Sequence, residues 1–129
     1  MSNACNGTTT VEANISARVN GHDNLFYPNQ FSGSSSGVLL VATSDTTHLG
    51  ISYGQTLGQG THTLPHTQFQ IDYLDPAGRT FTHSVGGTIQ VKVVGNVHSG
   101  TLTGVTVDGT GSGAGSQAVI SGTYVIIVS

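Results

Sequence analysis

The side chains in this chain that could do chemistry are six histidines, at positions 22, 48, 62, 66, 83 and 98, together with six carboxylates and one cysteine, Cys5. His62-Thr-Leu-Pro-His66 has the spacing that serves zinc on a helix. Pro65 and the β-prone surroundings remove that helix, and on a strand the two rings stand about 13 Å apart, too far for one ion unless the chain folds back at Pro65. His62 and His66 are therefore weak metal candidates, and the six histidines read as polar surface residues. Asp72 and Asp75 could lend oxygens to calcium, yet Asp75-Pro-Ala-Gly78 reads first as a turn, with Pro at its second position and Gly at its fourth.

Enzymatic constellations fare no better. Glu12 is the only glutamate, so a glycosidase acid and base would have to be aspartates from distant loops. Serines and histidines abound, but no Gly-x-Ser-x-Gly elbow with a strand-turn-helix context accompanies them. Gly111-Ser-Gly-Ala-Gly115 is glycine-rich, with no helix after it to hold a phosphate. The residues imply no catalytic site, no resident metal and no cofactor.

The scaffold that must carry any site is uncharged and β-prone. Charged residues are 7% of the 129, against about 25% in an ordinary soluble domain. The three basic residues, Arg18, Arg79 and Lys92, are scattered, so no patch exists that could neutralise nucleic-acid phosphates. One cysteine excludes an internal disulfide. No apolar run reaches the roughly 18 residues of a membrane-spanning helix.

Period-two alternation runs through the chain. Val11, Ala13, Ile15, Ala17 and Val19 point one way in the first segment. Asn20-Gly21 then predicts a hairpin into Leu25-Phe-Tyr27, which Pro28 ends. Ser32-Gly-Ser-Ser-Ser-Gly37 reads as a flexible connector. Val38 to Ala42 is apolar throughout, as in a strand covered on both faces, and Leu49 to Tyr53 is its expected neighbour. Segments at 61–64, 69–73, 79–83, 87–95 and 101–107 follow. In the last of these Gly104 marks a register shift between Leu102 and Val105. Gly109 to Ser116 reads as a second flexible loop.

Gln117 to Val128 is the longest stretch that water would not tolerate, and it predicts a central strand paired on both edges and covered on both faces. No helical periodicity appears. About nine or ten short strands in one domain, 10–129, predict an antiparallel β-sandwich or, alternatively, a β-barrel. Residues 1–9 read as a tag remnant and tether.

Gly-Thr opens four segments, at Gly60, Gly87, Gly100 and Gly122, and three of these, with the first strand, carry a resemblance. Ile15-Ser-Ala-Arg-Val-Asn-Gly21, Gly60-Thr-His-Thr-Leu64, Gly87-Thr-Ile-Gln-Val91 and Ile120-Ser-Gly-Thr-Tyr124 resemble, in order, motifs of small bacterial β-sandwich lipoproteins of unknown function. His62 stands where that family has an aromatic residue. The resemblance implies an extracytoplasmic sandwich with a membrane anchor, and it implies no activity.

Cys5 followed by the polar Asn6-Gly-Thr-Thr-Thr10 has the layout of a lipidated N-terminal cysteine and its tether. The expected protein is a non-enzymatic binding or structural module of the cell envelope, at the outer membrane or cell surface. Its partner would be an envelope protein or a glycan, and it would meet the membrane only through the lipid on Cys5. A carbohydrate-binding domain is the alternative, with exposed Tyr27, Tyr53, Tyr73 or Phe81 stacking on sugar rings. A hydrolase, the third reading, needs a cleft where His and Asp converge.

Overall fold

The computed structural model describes residues 11–44 and 46–128. The tether with Cys5, and Asp45, lie outside the described residues. Ten strands form in order: β1 (Glu12–Val19), β2 (His22–Phe26), β3 (Gln30–Ser34), β4 (Gly37–Ala42), β5 (Thr47–Ser52), β6 (Gly60–Pro65), β7 (Gln70–Leu74), β8 (Thr80–Val94), β9 (Val97–Thr110) and β10 (Gln117–Ile127). All pairings are antiparallel, in the order β2-β1-β10-β9-β8-β7-β5-β4-β3, with β6 beside β8. The class is therefore all-β. The strands make one strongly curled sheet, a half-barrel, so the curvature fits the barrel alternative, and two separately hydrogen-bonded sheets are not what forms.

The curl follows from the connections. β2 and β3 are consecutive in the chain yet lie at opposite ends of a nine-strand path. Eight inter-strand steps would set them about 38 Å apart in a flat sheet. The link Tyr27-Pro28-Asn29 spans only about 14 Å from Phe26 to Gln30, so the two ends must swing toward each other. Contacts across the interior bear this out. Phe26 meets Tyr73 edge-on at 6.5 Å, and Gly33 of β3 packs against the Ile126 side chain of β10.

The turns match their chemistry. Asn20 and Gly21 both have positive φ, 50° and 85°, as a type I′ hairpin requires, and Val19 pairs with His22. Gly95-Asn96 joins β8 to β9, and its Gly95 is held by both ends of the Gln59 amide. Pro65 closes β6, a strand paired only with β8.

β8 is continuous where two segments are expected. It runs 15 residues through three register irregularities around Thr82, Val85 and Gly87. These bends let one edge follow β9 throughout while the other pairs first with β7 and then with β6. The Gly104 shift appears as expected. Leu102, Val105 and Val107 are all buried, and the inward period slips by one residue between the first two, opposite Ser121 and Gly122.

Four expectations need correction. Ser32 to Gly37 is not a flexible connector: Ser32, Gly33 and Ser34 pair in β3, and Gly33 supplies the space that Ile126 occupies. β10 is paired on both edges by β1 and β9, but only one face is covered. Ile120, Tyr124 and Ile126 are buried, whereas Ile127 on the outer face is 44% exposed. β4 behaves likewise, with Leu40 buried and Leu39 42% exposed. A single curled sheet covers its inner face with itself and leaves its outer face to water. The second loop is also more ordered than its composition suggests: β9 extends to Thr110, and a 3-10 turn follows at Gly111–Gly113.

Candidate functional site

Three places gather polar chemistry, and the first lies inside the curl. Tyr53, just past β5, and Tyr124 of β10 share a buried hydroxyl–hydroxyl hydrogen bond of 2.7 Å. Tyr124 can lie there because its cross-strand partner is Gly100, where any Cβ would strike the phenol ring. His98 stacks on Tyr53 at 6.2 Å, and its Nδ1 is buried without a partner. Burial pushes the Tyr53 phenol up to about 12, with the Tyr124 hydrogen bond opposing. Burial also raises Tyr124 well above the usual range, aided by nearby Tyr53. His98 is held below the usual histidine value, by burial first and by His62 second. Tyr53, Tyr124 and His98 are all buried, so the group belongs to the core.

The second place is the outer face of β3, β4, β5 and β7. Alternation and register place Gln30, Val41, His48 and Leu74 in one row of outward residues. Ser32, Leu39, Gly50 and Asp72 form the next, and Ser34, Gly37, Ser52 and Gln70 the third. Gly37 and Gly50 leave a diagonal hollow among them, part of a groove of about 770 Å³. His48 Nε2 lies 3.4 Å from Asp72 Oδ1 at its rim, so a histidine and an aspartate do meet in a cleft. A smaller groove, lined by Leu39, Val41 and His48, continues from it.

The third place is a groove of about 430 Å³ over β10, where that strand faces the bulge in β9. Gly122 forms its floor; φ is 138° there, and a Cβ would run into the Asn14 carbonyl oxygen. Asn14 and Ser16 of β1, Ser121 of β10, and Leu25 and Tyr27 at β2 surround it.

The structure separates the aromatic residues that sequence reasoning grouped together. Tyr27 is 71% exposed, whereas Tyr53, Tyr73 and Phe81 are buried and cannot stack on a sugar from solvent. Each of the three sits at an inward position of the curl, and Tyr73 and Phe81 face each other at 5.7 Å. Composition reveals that an aromatic residue is present but not which face of a strand closes over it.

Among the histidines, His98 departs from the surface reading, being 2% exposed. His62 donates from Nε2 to the Gly58 carbonyl at 2.7 Å, and His66 lies in the turn after β6. Among the described residues no three His, Cys, Asp or Glu side chains gather as a metal site. Asp75 is buried and fully used by its turn: Oδ1 accepts from the Ala77 and Arg79 amides, and Oδ2 from Arg79 Nε at 2.7 Å. The Gly50 hollow and the Gly122 floor escaped sequence reasoning. The signal available was small residues alternating on paired strands, visible only once register is known.

The molecule is thus an all-β half-barrel with shallow grooves on its outer face. Compared with family models, with characterised proteins and with solved structures, the chain matches none.

Proposed function

We propose that this protein is a non-enzymatic binding or structural module of the bacterial cell envelope, a lipoprotein held extracytoplasmically at the outer membrane or cell surface through Cys5. Cys5 with its polar tether, the low charge and the resemblance carried by Ile15–Gly21, Gly60–Leu64, Gly87–Val91 and Ile120–Tyr124 support the location. In the same reading the β3–β7 half of the curled sheet faces the β8–β10 and β1–β2 half as one sandwich layer faces another.

The observation that carries the binding role is the hollow at Gly37 and Gly50. There the outer face exposes Leu39 beside the His48–Asp72 pair and the amide and hydroxyls of Gln70, Ser52 and Ser34. Convergent hydrogen-bonding groups around an apolar residue are what a ligand site needs. Gly50 offers the test, because a Cβ there meets only ordinary contacts, with Asp72 Cβ and Leu39 Cδ1 each at 3.7 Å. Gly50→Trp fills the hollow from outside while the core is left alone. Retention of the purified protein on washed envelope fractions should fall by about tenfold or more in that variant, the loss of roughly one good contact set. Equal retention of the two proteins, both melting normally, would refute the assignment of the site.

A further inference from the structure

The Gly122 groove carries a separate inference. We propose that it is a binding site for one neutral sugar ring of a glycan, with Tyr27 as the stacking platform and Asn14 and Ser16 as the hydrogen-bonding edge.

Tyr27 is the one aromatic residue of the eight that stands out in water; the other three tyrosines are buried, as are Phe26, Phe69 and Phe81, and Phe31 is partly buried. Its position is stiff. It precedes Pro28, which restricts its backbone to extended conformations. Beyond that proline Asn29 is clamped three ways: its amide N–H donates to Val41 O, its Nδ2 to Thr43 Oγ1, and its Oδ1 accepts from the Thr43 amide, each at 2.9 Å. An exposed ring on a fixed link loses little freedom when a ligand settles on it. Leu25, 60% exposed, widens the apolar surface beside it.

The opposite side of the groove is polar and unengaged. Neither the Asn14 amide nor the Ser16 hydroxyl hydrogen-bonds to another described residue, while Ser121 Oγ accepts from the Gly104 amide and retains its own proton to donate. An amide and hydroxyls can both give and accept, which suits a row of alcohols. No charged residue lines the groove, so nothing there selects an ion. A pyranose ring has this same division, with C–H bonds on its face for the electron-rich ring of Tyr27 and hydroxyls at its edge. Gly122, beside the β9 bulge at Thr103-Gly104, leaves the floor of the groove without a side chain, which gives the Ser121-Gly122-Thr123 motif a role beyond strand geometry.

The experiment is a two-dimensional NMR titration of the full chain with cellohexaose, maltohexaose, laminarihexaose and chitohexaose in turn. At least one should shift the resonances of Asn14, Ser16, Leu25, Tyr27 and Gly122 saturably. Tyr27→Ala should weaken that binding about tenfold, Tyr27→Phe should keep most of it, and Asn14→Ala should weaken it several-fold. Both positions are exposed, so each variant should melt as the wild type does. The proposal is overturned if none of the four sugars gives saturable shifts, if shifts centre on Gly50 and Gln70 instead, or if Tyr27→Ala binds unchanged. It is also overturned if phosphatidylethanolamine–phosphatidylglycerol vesicles perturb Leu25 and Tyr27 where the sugars do not, which would make the patch a membrane contact. Because the retention test on Gly50→Trp reads a different groove, either assignment can fail without the other.

Discussion

His98 places an ionisable ring in the core with one nitrogen unpartnered, and the energetic consequence is a dependence on pH. Its folded-state pKa lies below the ordinary value of about 6.5, because burial disfavours the charged ring. Above that pH both folded and unfolded chains hold it neutral, and it contributes no slope. Below it the unfolded chain takes up a proton that the folded chain refuses, so stability falls with pH until the folded pKa is reached. The stability lost between roughly pH 7 and roughly pH 5 should therefore be smaller in His98→Leu than in the wild type. Urea unfolding at the two pH values measures it, and equal losses would show that His98 is protonated in the fold. Little of this was legible from sequence. His98 follows a turn and precedes Ser99-Gly100, a polar setting, and only the stacking on Tyr53 shows that its ring turns inward.

At the scale of elements, sequence reasoning succeeded where side-chain period and turn chemistry act locally. Asn20-Gly21 specified its hairpin, and the slip from Leu102 to Val105 specified the bulge in β9. It failed at β3, where Ser-Gly-Ser composition reads as linker but the small side chains let the strand lie over Ile126. The same long-range logic governs Tyr53 and Tyr124, whose hydroxyls join the segment after β5 to β10. Tyr53→Phe leaves the Tyr124 hydroxyl buried and unpaired, at a cost of about 1–3 kcal/mol. Tyr124→Phe should cost a similar amount, while the double variant removes both polar groups and should cost less than the two single changes summed. Strict additivity in denaturant titrations would show that the hydroxyls do not meet in solution.

Over the whole molecule, the half-barrel depends on strands that are remote in sequence. β10 is the hinge of that arrangement, because β1 pairs with one of its edges, β9 with the other, and β3 closes over its inner face through Gly33 and Ile126. The sequence placed β10 at the centre by its apolarity but did not show that solvent borders its outer side, because Val125 and Ile127 are as apolar as the inward residues although the first is only half-buried and the second 44% exposed. A chain ending at Gly122 loses Tyr124 and Ile126 from the core, the partners of β9 from Val97 to Thr101, and the anchor of Glu12 to Asn14. Removing two large buried side chains alone costs on the order of 6–10 kcal/mol, as much as the entire stability of a typical domain of this size. The truncated chain should therefore show no cooperative thermal transition by circular dichroism. A sharp melt in that chain would mean that β3, β4, β5, β7 and β8 hold a core of their own and that β10 joins a fold already made.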